Sequence, residues 1–233
     1  QRILEWNVTA PGIDVARPFR DGYNNLVQVV TVTEKHSEAL IIANGVVETE
    51  DHAGVVRGLP EVAPRRVFLR QTAMTAANED IRKLITGTPG INGLHELMHA
   101  VRDAVEYETG VTGAHTSAAE ALADGRGVCQ DHAHIFIAAA RTQGIPARYV
   151  NGYLLGDFDK PAEAHHAWAE VWLDGLGWIG FDPANRICPT DGYVRLATGL
   201  DARSAAPIRG TRWGEAEEAL DVIVEVQQQI AQQ

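Results

Sequence analysis

Residues 125–150, GRGVCQDHAHIFIAAARTQGIPARYV, set one cysteine after a Gly-Arg-Gly turn, at the head of an apolar run that also carries His132 and His134. The run reads as a helix from Cys129 to Gln143, stopped by Gly144 and Pro146. Three readings of Cys129 compete: metal ligand, buried structural thiol, or nucleophile. At roughly 100° per residue, His132 lies about 60° and His134 about 140° around the helix from Cys129, so the three side chains do not converge on a tetrahedral ion. No metal and no other cofactor is expected, and His134 reads as a hydrogen-bonded core histidine. Between thiol and nucleophile, the rest of the chain decides.

Downstream, "HHAWAEVWLDGLGWIGFDP" (residues 165–183) reads as a hairpin. Period two puts His166, Trp168, Glu170 and Trp172 on one strand face, and Trp178, Gly180 and Asp182 on the matching face of the next strand. Residues 173–175 suit a three-residue loop with Gly175 left-handed. That loop pairs Trp172 with Leu176, Trp168 with Gly180 and His166 with Asp182, bringing an imidazole and a carboxylate to about 5 Å across the ladder. A one-residue slip would send them to opposite faces. A carboxylate beside an imidazole fixes its tautomer and stabilises imidazolium. His165 falls on the opposite face and reads as a packing or surface residue.

Upstream, residues 1–75 read as a β-rich domain. "NLVQVVTVTE" and "EALIIANGVVETE" are strand-like, with "RDGYNN" and "NG" supplying turn chemistry. Residues 76–233 form a second domain. "AANEDIRKLITG" reads as a helix, as does "GLHELMHAVRDAVEYETG", whose Leu94, Leu97, Met98, Val101 and Val105 share a face ending at Gly110. Ser117 and Glu120 have capping-box spacing. Leu220, Val222, Val224 and Val226 alternate within an expected C-terminal strand, 218–228.

The 233 residues are 45% hydrophobic and carry a formal charge of −11. That acidity argues against nucleic-acid and anionic-membrane partners, which need a basic stripe. No apolar run reaches the roughly 20 residues of a membrane span, and no signal-peptide pattern opens the chain. Two cysteines make no disulfide framework, so a cytoplasmic home is expected. The chain starts without Met, so an N-terminal segment, with any export signal in it, is expected to lie upstream.

"GRGVCQDHAH...GIPARYVNGYL" followed by "HHAWAEVWLDGLGWIGFDPANR" resembles the transglutaminase-like superfamily, in particular a bacterial group regarded as cysteine proteases. The resemblance runs from about Thr116 to Asp201. It implies an α+β, papain-like fold, with the cysteine at a helix N-terminus packed on an antiparallel sheet. It implies a triad of Cys129 as nucleophile, His166 as base and Asp182 as orienting acid. Relatives often carry an aromatic residue where this chain has His132. The chemistry agrees: a helix N-terminus and a nearby imidazolium both favour thiolate. The thiolate attacks an amide carbonyl, releases the amine and leaves a thioester, which water or another amine then resolves. The backbone N–H of Cys129 is a candidate oxyanion donor.

Around the triad, Trp168 and Trp172 are expected to pack against the Cys129 helix or to wall water from the thioester. Arg126 and Arg148 are candidates for a substrate carboxylate, with loop carbonyls or surface acids as the alternative. Glu170 reads as a surface charge or an attractor for a cationic amine, and Cys188 as a structural thiol. Three functions follow. The leading one is a thiol-dependent amide hydrolase acting on a peptide or isopeptide bond of a peptide or protein. The others are transglutaminase-type acyl transfer by the same triad and a non-catalytic binding module on the same fold.

Overall fold

A computed structural model describes the chain except residues 61, 89, 157–164, 212, 215–218 and 229–233. Its strands and helices, in chain order, are β1 (Arg2–Thr9), β2 (Phe19–Arg20), β3 (Leu26–Val27), β4 (Ile42–Glu48), β5 (Val55–Val56), α1 (Glu79–Lys83) and α2 (Ile91–Ala104). They continue with β6 (Glu106–Tyr107), α3 (Ala118–Asp124), β7 (Arg126–Gly127), α4 (Cys129–Thr142), β8 (Ala147–Leu154), β9 (His165–Leu173), β10 (Gly177–Phe181) and β11 (Tyr193–Gly199). The fold is α+β, as expected. No helix among the described residues is long and apolar enough to cross a membrane.

The element that organises the core is α4, buried from Asp131 to Arg141 on every side. A helix apolar all round needs partners all round. α1, α2 and α3 pack on one side and a five-stranded antiparallel sheet, in the order β11-β8-β9-β10-β5, on the other. Ala138, Ala139 and Ala140 of the helix share one cluster with Ala167, Ala169 and Val171 of β9. Small side chains let helix and sheet backbones approach closely. Arg141, at the far end of α4, donates to the carbonyls of Phe68, Ala147 and Leu200 and to the Thr75 hydroxyl. Burial lowers its pKa to about 10, and those four acceptors make the buried guanidinium tolerable.

Local signals place the helix ends well. Ser117 Oγ accepts from the Glu120 N–H while Glu120 accepts from the Ser117 N–H, closing the capping box of α3. α2 buries Leu94, Leu97, Met98 and Val101 as its periodicity requires. It ends at Ala104, not at Gly110, because residues 106–107 leave the helix to pair in parallel with β7.

The β9–β10 hairpin differs from the expected register by two residues. The loop is residues 174–176, and the ladder pairs Leu173 with Gly177, Trp172 with Trp178 and Glu170 with Gly180. Gly175 and Gly177 both take left-handed φ values, 86° and 89°, so the turn moves one residue along the chain. An even shift preserves faces. His166 and Asp182 therefore stay on one side, diagonal to each other rather than directly opposed.

Trp168 and Trp172 do not pack on α4. They lie on the other sheet face, Trp168 with Val150 and Tyr193, Trp172 with Trp178 and Phe68. Alternation explains this: Ala167, Ala169 and Val171 occupy the helix side, so their neighbours must point away. On that outer face Gly152 of β8 lies flat beneath Trp168, and a Cβ there would overlap the Trp168 ring and the Val194 carbonyl. Gly152→Ala is therefore expected to destabilise the protein by about 1–3 kcal/mol, read from urea midpoints; an unchanged midpoint would mean the ring and strand give way freely.

Before residue 75 the chain is less regular than expected. β1 pairs with β4, and the "RDGYNN" turn forms with the Asp21 carboxylate accepting from the N–H groups of Tyr23 and Asn25. Residues 28–34 form no strand, and Asn44-Gly45 is no turn but the middle of β4, where Gly45 lies against Trp6. β5 pairs with β10, so the segment before residue 75 contributes the edge strand of the central sheet. Of the expected C-terminal strand, 218–228, residue 218 lies outside the described residues and 219–228 form no strand, with Leu220, Val222 and Ile223 exposed. Alternation makes a strand only where a ladder partner exists.

Candidate active site

Cys129 is the first residue of α4, and three devices hold that helix end. Asp131 reaches back to accept from the Val128 N–H at 2.9 Å and from the Thr112 hydroxyl at 2.6 Å. Gly127 packs against the Asp131 side chain so closely that a Cβ would clash. The His132 ring nitrogens lie 2.8 Å from the Val128 carbonyl oxygen and 3.0 Å from that of Val105, tying the cap of α4 to the end of α2.

His166, second in β9, is buried, and its Nε2 meets Asp182 Oδ2 at 2.7 Å. Cys129, at the start of α4, is the second group that acts on the His166 ring. Burial alone would lower the histidine pKa. The hydrogen bonds to Asp182 and Cys129, with their negative charge, outweigh it and raise the pKa to about 10. Asp182 is completely buried; burial would raise its pKa, but the bonds from His166, Tyr193 and Asn185 hold it below the usual carboxylate value. The structure thus brings Cys129, His166 and Asp182 together, with His166 bonded to Asp182 and interacting with Cys129.

Two residues of this cluster escaped the sequence reading. Tyr193, first in β11, donates its hydroxyl to Asp182 Oδ2 at 2.7 Å, and Asn185 Nδ2 donates to the same oxygen at 2.8 Å. Asn185 had a signal, since Asp-Pro-x-Asn favours a turn that returns its fourth residue to the first. Indeed the Asn185 N–H lies 3.3 Å from Asp182 Oδ1. Tyr193 had none, because a contact between β10 and β11 leaves no local pattern.

The other candidates lie apart. Trp168 is buried, with its ring centroid 6.4 Å from that of His166. Arg126 is half-exposed and pairs with Glu108 at 3.2 Å. Glu170 is not a surface charge: it is 1% exposed and bound by Arg148 at 2.6 Å and Arg195 at 2.9 Å. Arg148 also stacks on Trp178, 3.8 Å from the ring centroid. This side chain is buried in the sheet's outer face. Arg148 and Glu170 stand directly opposite each other on β8 and β9, and Arg195 reaches Glu170 from β11, where its own ladder partner is Gly152. His134 Nε2 accepts from the Ala202 N–H, and burial pushes its pKa down to about 4, so it is a neutral core histidine. His132 and His134 are engaged by backbone and do not converge with Cys129. His165 is exposed, and Cys188 is half-buried against Gly54.

A family model described as transglutaminase-like superfamily matches residues 80–183, which hold Cys129, His166 and Asp182. An uncharacterized protein of Mycobacterium leprae is 33% identical over 236 residues, covering 92% of this chain and 83% of that protein. A protein-glutamine gamma-glutamyltransferase of Pseudomonas aeruginosa is 34% identical over 82 residues, 32% of this chain and 12% of that protein. The crystal structure of a candidate cysteine protease from Cytophaga hutchinsonii superposes with a TM-score of 0.61 at 26% identity, covering 88% of this chain and 73% of that one. With the family model matching residues 80–183 and a relative 33% identical over 92% of its length, this chain belongs to the transglutaminase-like superfamily.

Proposed function

We propose that the chain is a thiol-dependent amide hydrolase in which Cys129 is the nucleophile, His166 the acid and base, and Asp182 the group that orients His166. The observation that supports this reading is His166 held at 2.7 Å by a fully buried carboxylate while it interacts with Cys129, the first residue of α4. The thiolate attacks the carbonyl carbon of a peptide or isopeptide bond. The C–N bond breaks as His166 gives its proton to the departing amine, leaving a thioester. His166 then takes a proton from water as water attacks the thioester, and the acid departs with the thiol restored. The Cys129 N–H, first in the helix and outside its ladder, is placed to donate to the developing oxyanion. A peptide or protein is the substrate class.

Acyl transfer to an amine is the second reading, favoured by the local likeness to a protein-glutamine gamma-glutamyltransferase. It differs only in what resolves the thioester. The experiment is ammonia release from a glutamine-containing peptide, with and without a primary amine. Release of free acid at an unchanged rate when amine is added supports hydrolysis. Incorporation of the amine in place of acid supports transfer. No release from any carboxamide or peptide bond, together with a slow Cys129, would overturn both and leave a non-catalytic binding module.

A further inference from the structure

We propose that Tyr193 is a positioning residue for this site: its hydroxyl fixes the Asp182 oxygen that holds His166, and its ring shields that carboxylate from the cavity behind it. The proposal rests on the reading of Cys129, His166 and Asp182 as one catalytic unit.

The hydrogen bonds to Asp182 are lopsided. Oδ2 receives His166 Nε2 at 2.7 Å, the Tyr193 hydroxyl at 2.7 Å and Asn185 Nδ2 at 2.8 Å, whereas Oδ1 meets the Asn185 N–H at 3.3 Å. A carboxylate with no solvent contact is held by its donors alone. Asn185 lies three residues from Asp182 and moves with its turn. Tyr193 comes from β11, whose ladder is built on β8, so it references the carboxylate to the sheet rather than to its own loop. Its ring meets the His166 ring at 5.8 Å and 62° and the Trp168 ring at 5.4 Å and 87°, so one side chain touches acid and base together.

Behind this pair lies a cavity of about 390 Å³ on the outer face of the sheet, lined by Tyr193 and Trp168 together with Glu170 and Arg195. Asp182 and His166 are not among its described lining residues. Tyr193 and Trp168 thus form the partition between a polar space and the buried carboxylate. Water reaching Asp182 would compete for Oδ2 and weaken its hold on His166. The titratable groups beside Asp182 include His166 and Tyr193, and those beside Tyr193 include Asp182, His166 and Cys188. Burial and the Asp182 charge push the phenol far above its ordinary pKa, so it remains a donor throughout the working range.

The test is Tyr193→Phe, which keeps the ring and removes one hydrogen bond to a charged group. The rate of Cys129 alkylation by iodoacetamide is followed against pH, with Cys188 as internal reference. A fall of about tenfold near neutral pH is expected, with the acid limb of the profile moved to higher pH, because Asp182 loses a donor that favours its ionised form. Tyr193→Leu, which also opens the partition, is expected to lose more, and Tyr193→Phe remains folded at the assay temperature. A profile that superimposes on the parent's, or a uniform drop with no shift of the acid limb, overturns the positioning role and leaves the catalytic reading intact. If Cys129 of the parent reacts no faster than Cys188, the catalytic reading fails and the proposal falls with it.

Discussion

His166→Ala slows alkylation of Cys129 by about a hundredfold near pH 6, because an ordinary thiol with a pKa of about 8.5 is under about 1% thiolate there. The side chain removed is the cation of the pair. Its pKa near 10 means that the imidazolium persists across neutral pH and is lost only as the pH rises through that value. In the parent, Cys129 should therefore be alkylated faster than Cys188 at pH 6. Cys188, whose pKa burial raises, should react slowly in both proteins. Asp182→Asn is the companion variant: it keeps a hydrogen-bonding side chain but removes the charge that holds the proton on His166. A His166→Ala rate equal to the parent's at pH 6 would sink the ion pair, and with it the proposed chemistry. On amide turnover the loss should be larger still, on the order of 10⁴-fold or more, as when one member of a triad is removed.

The same shifts set the pH range of stability. His166 has its folded pKa raised from 6.5, so its contribution is complete below about 6.5 and is lost as pH rises through about 10. Asp182 and Glu170 have lowered pKa values, so theirs are present above the ordinary carboxylate range and lost as pH falls through the folded values.

Glu170→Ala is expected to cost about 3–5 kcal/mol of stability, the usual effect of removing one partner from a buried charge cluster. Burial alone would raise the Glu170 pKa; the charges of Arg195 and Arg148 outweigh it and lower it. Taking away that carboxylate strips both guanidinium groups of the anion they share, on a sheet face where Arg148 is also covered by Trp178. Urea unfolding of parent and variant measures the difference, with an unchanged slope required for the comparison. A loss below about 1 kcal/mol would place Glu170 with exposed ion pairs and contradict its burial. Glu170 touches none of the reacting groups, so alkylation of Cys129 in the folded variant should stay close to the parent rate. That separates it from Tyr193→Phe, whose effect is on reactivity and not on folding.

How legible the site was depends on how local each contact is. Cys129 at a helix start follows from the Gly-Arg-Gly turn and the apolar run behind it. That His166 and Asp182 share a face follows from strand alternation, which tolerated the two-residue error in register. Tyr193 could not be read, because nothing near residue 193 records that β11 lies two strands from β9. Glu170 was misjudged for the same reason: a charged residue in an alternating strand looks solvent-facing unless the cations opposite it, 22 residues before and 25 after, are known. The tryptophans were assigned to the wrong layer because alternation says which residues share a face but not which face meets the helix.

By itself the sequence determined the helix that begins with Cys129, the hairpin bearing His166 and Asp182, the α+β class and the superfamily. The helix, the hairpin and the class depend on periodicity, caps and turns, whose physical causes act over a few residues; the superfamily was read from the resemblance of the ordered Cys, His and Asp motifs. Only the tertiary structure decided the ladder register, the layer in which each tryptophan packs, the burial of Glu170 between two arginines and the third donor on Asp182. Each of those is fixed by what lies across a strand or behind a sheet, where the free energy comes from excluding water between residues far apart in the chain.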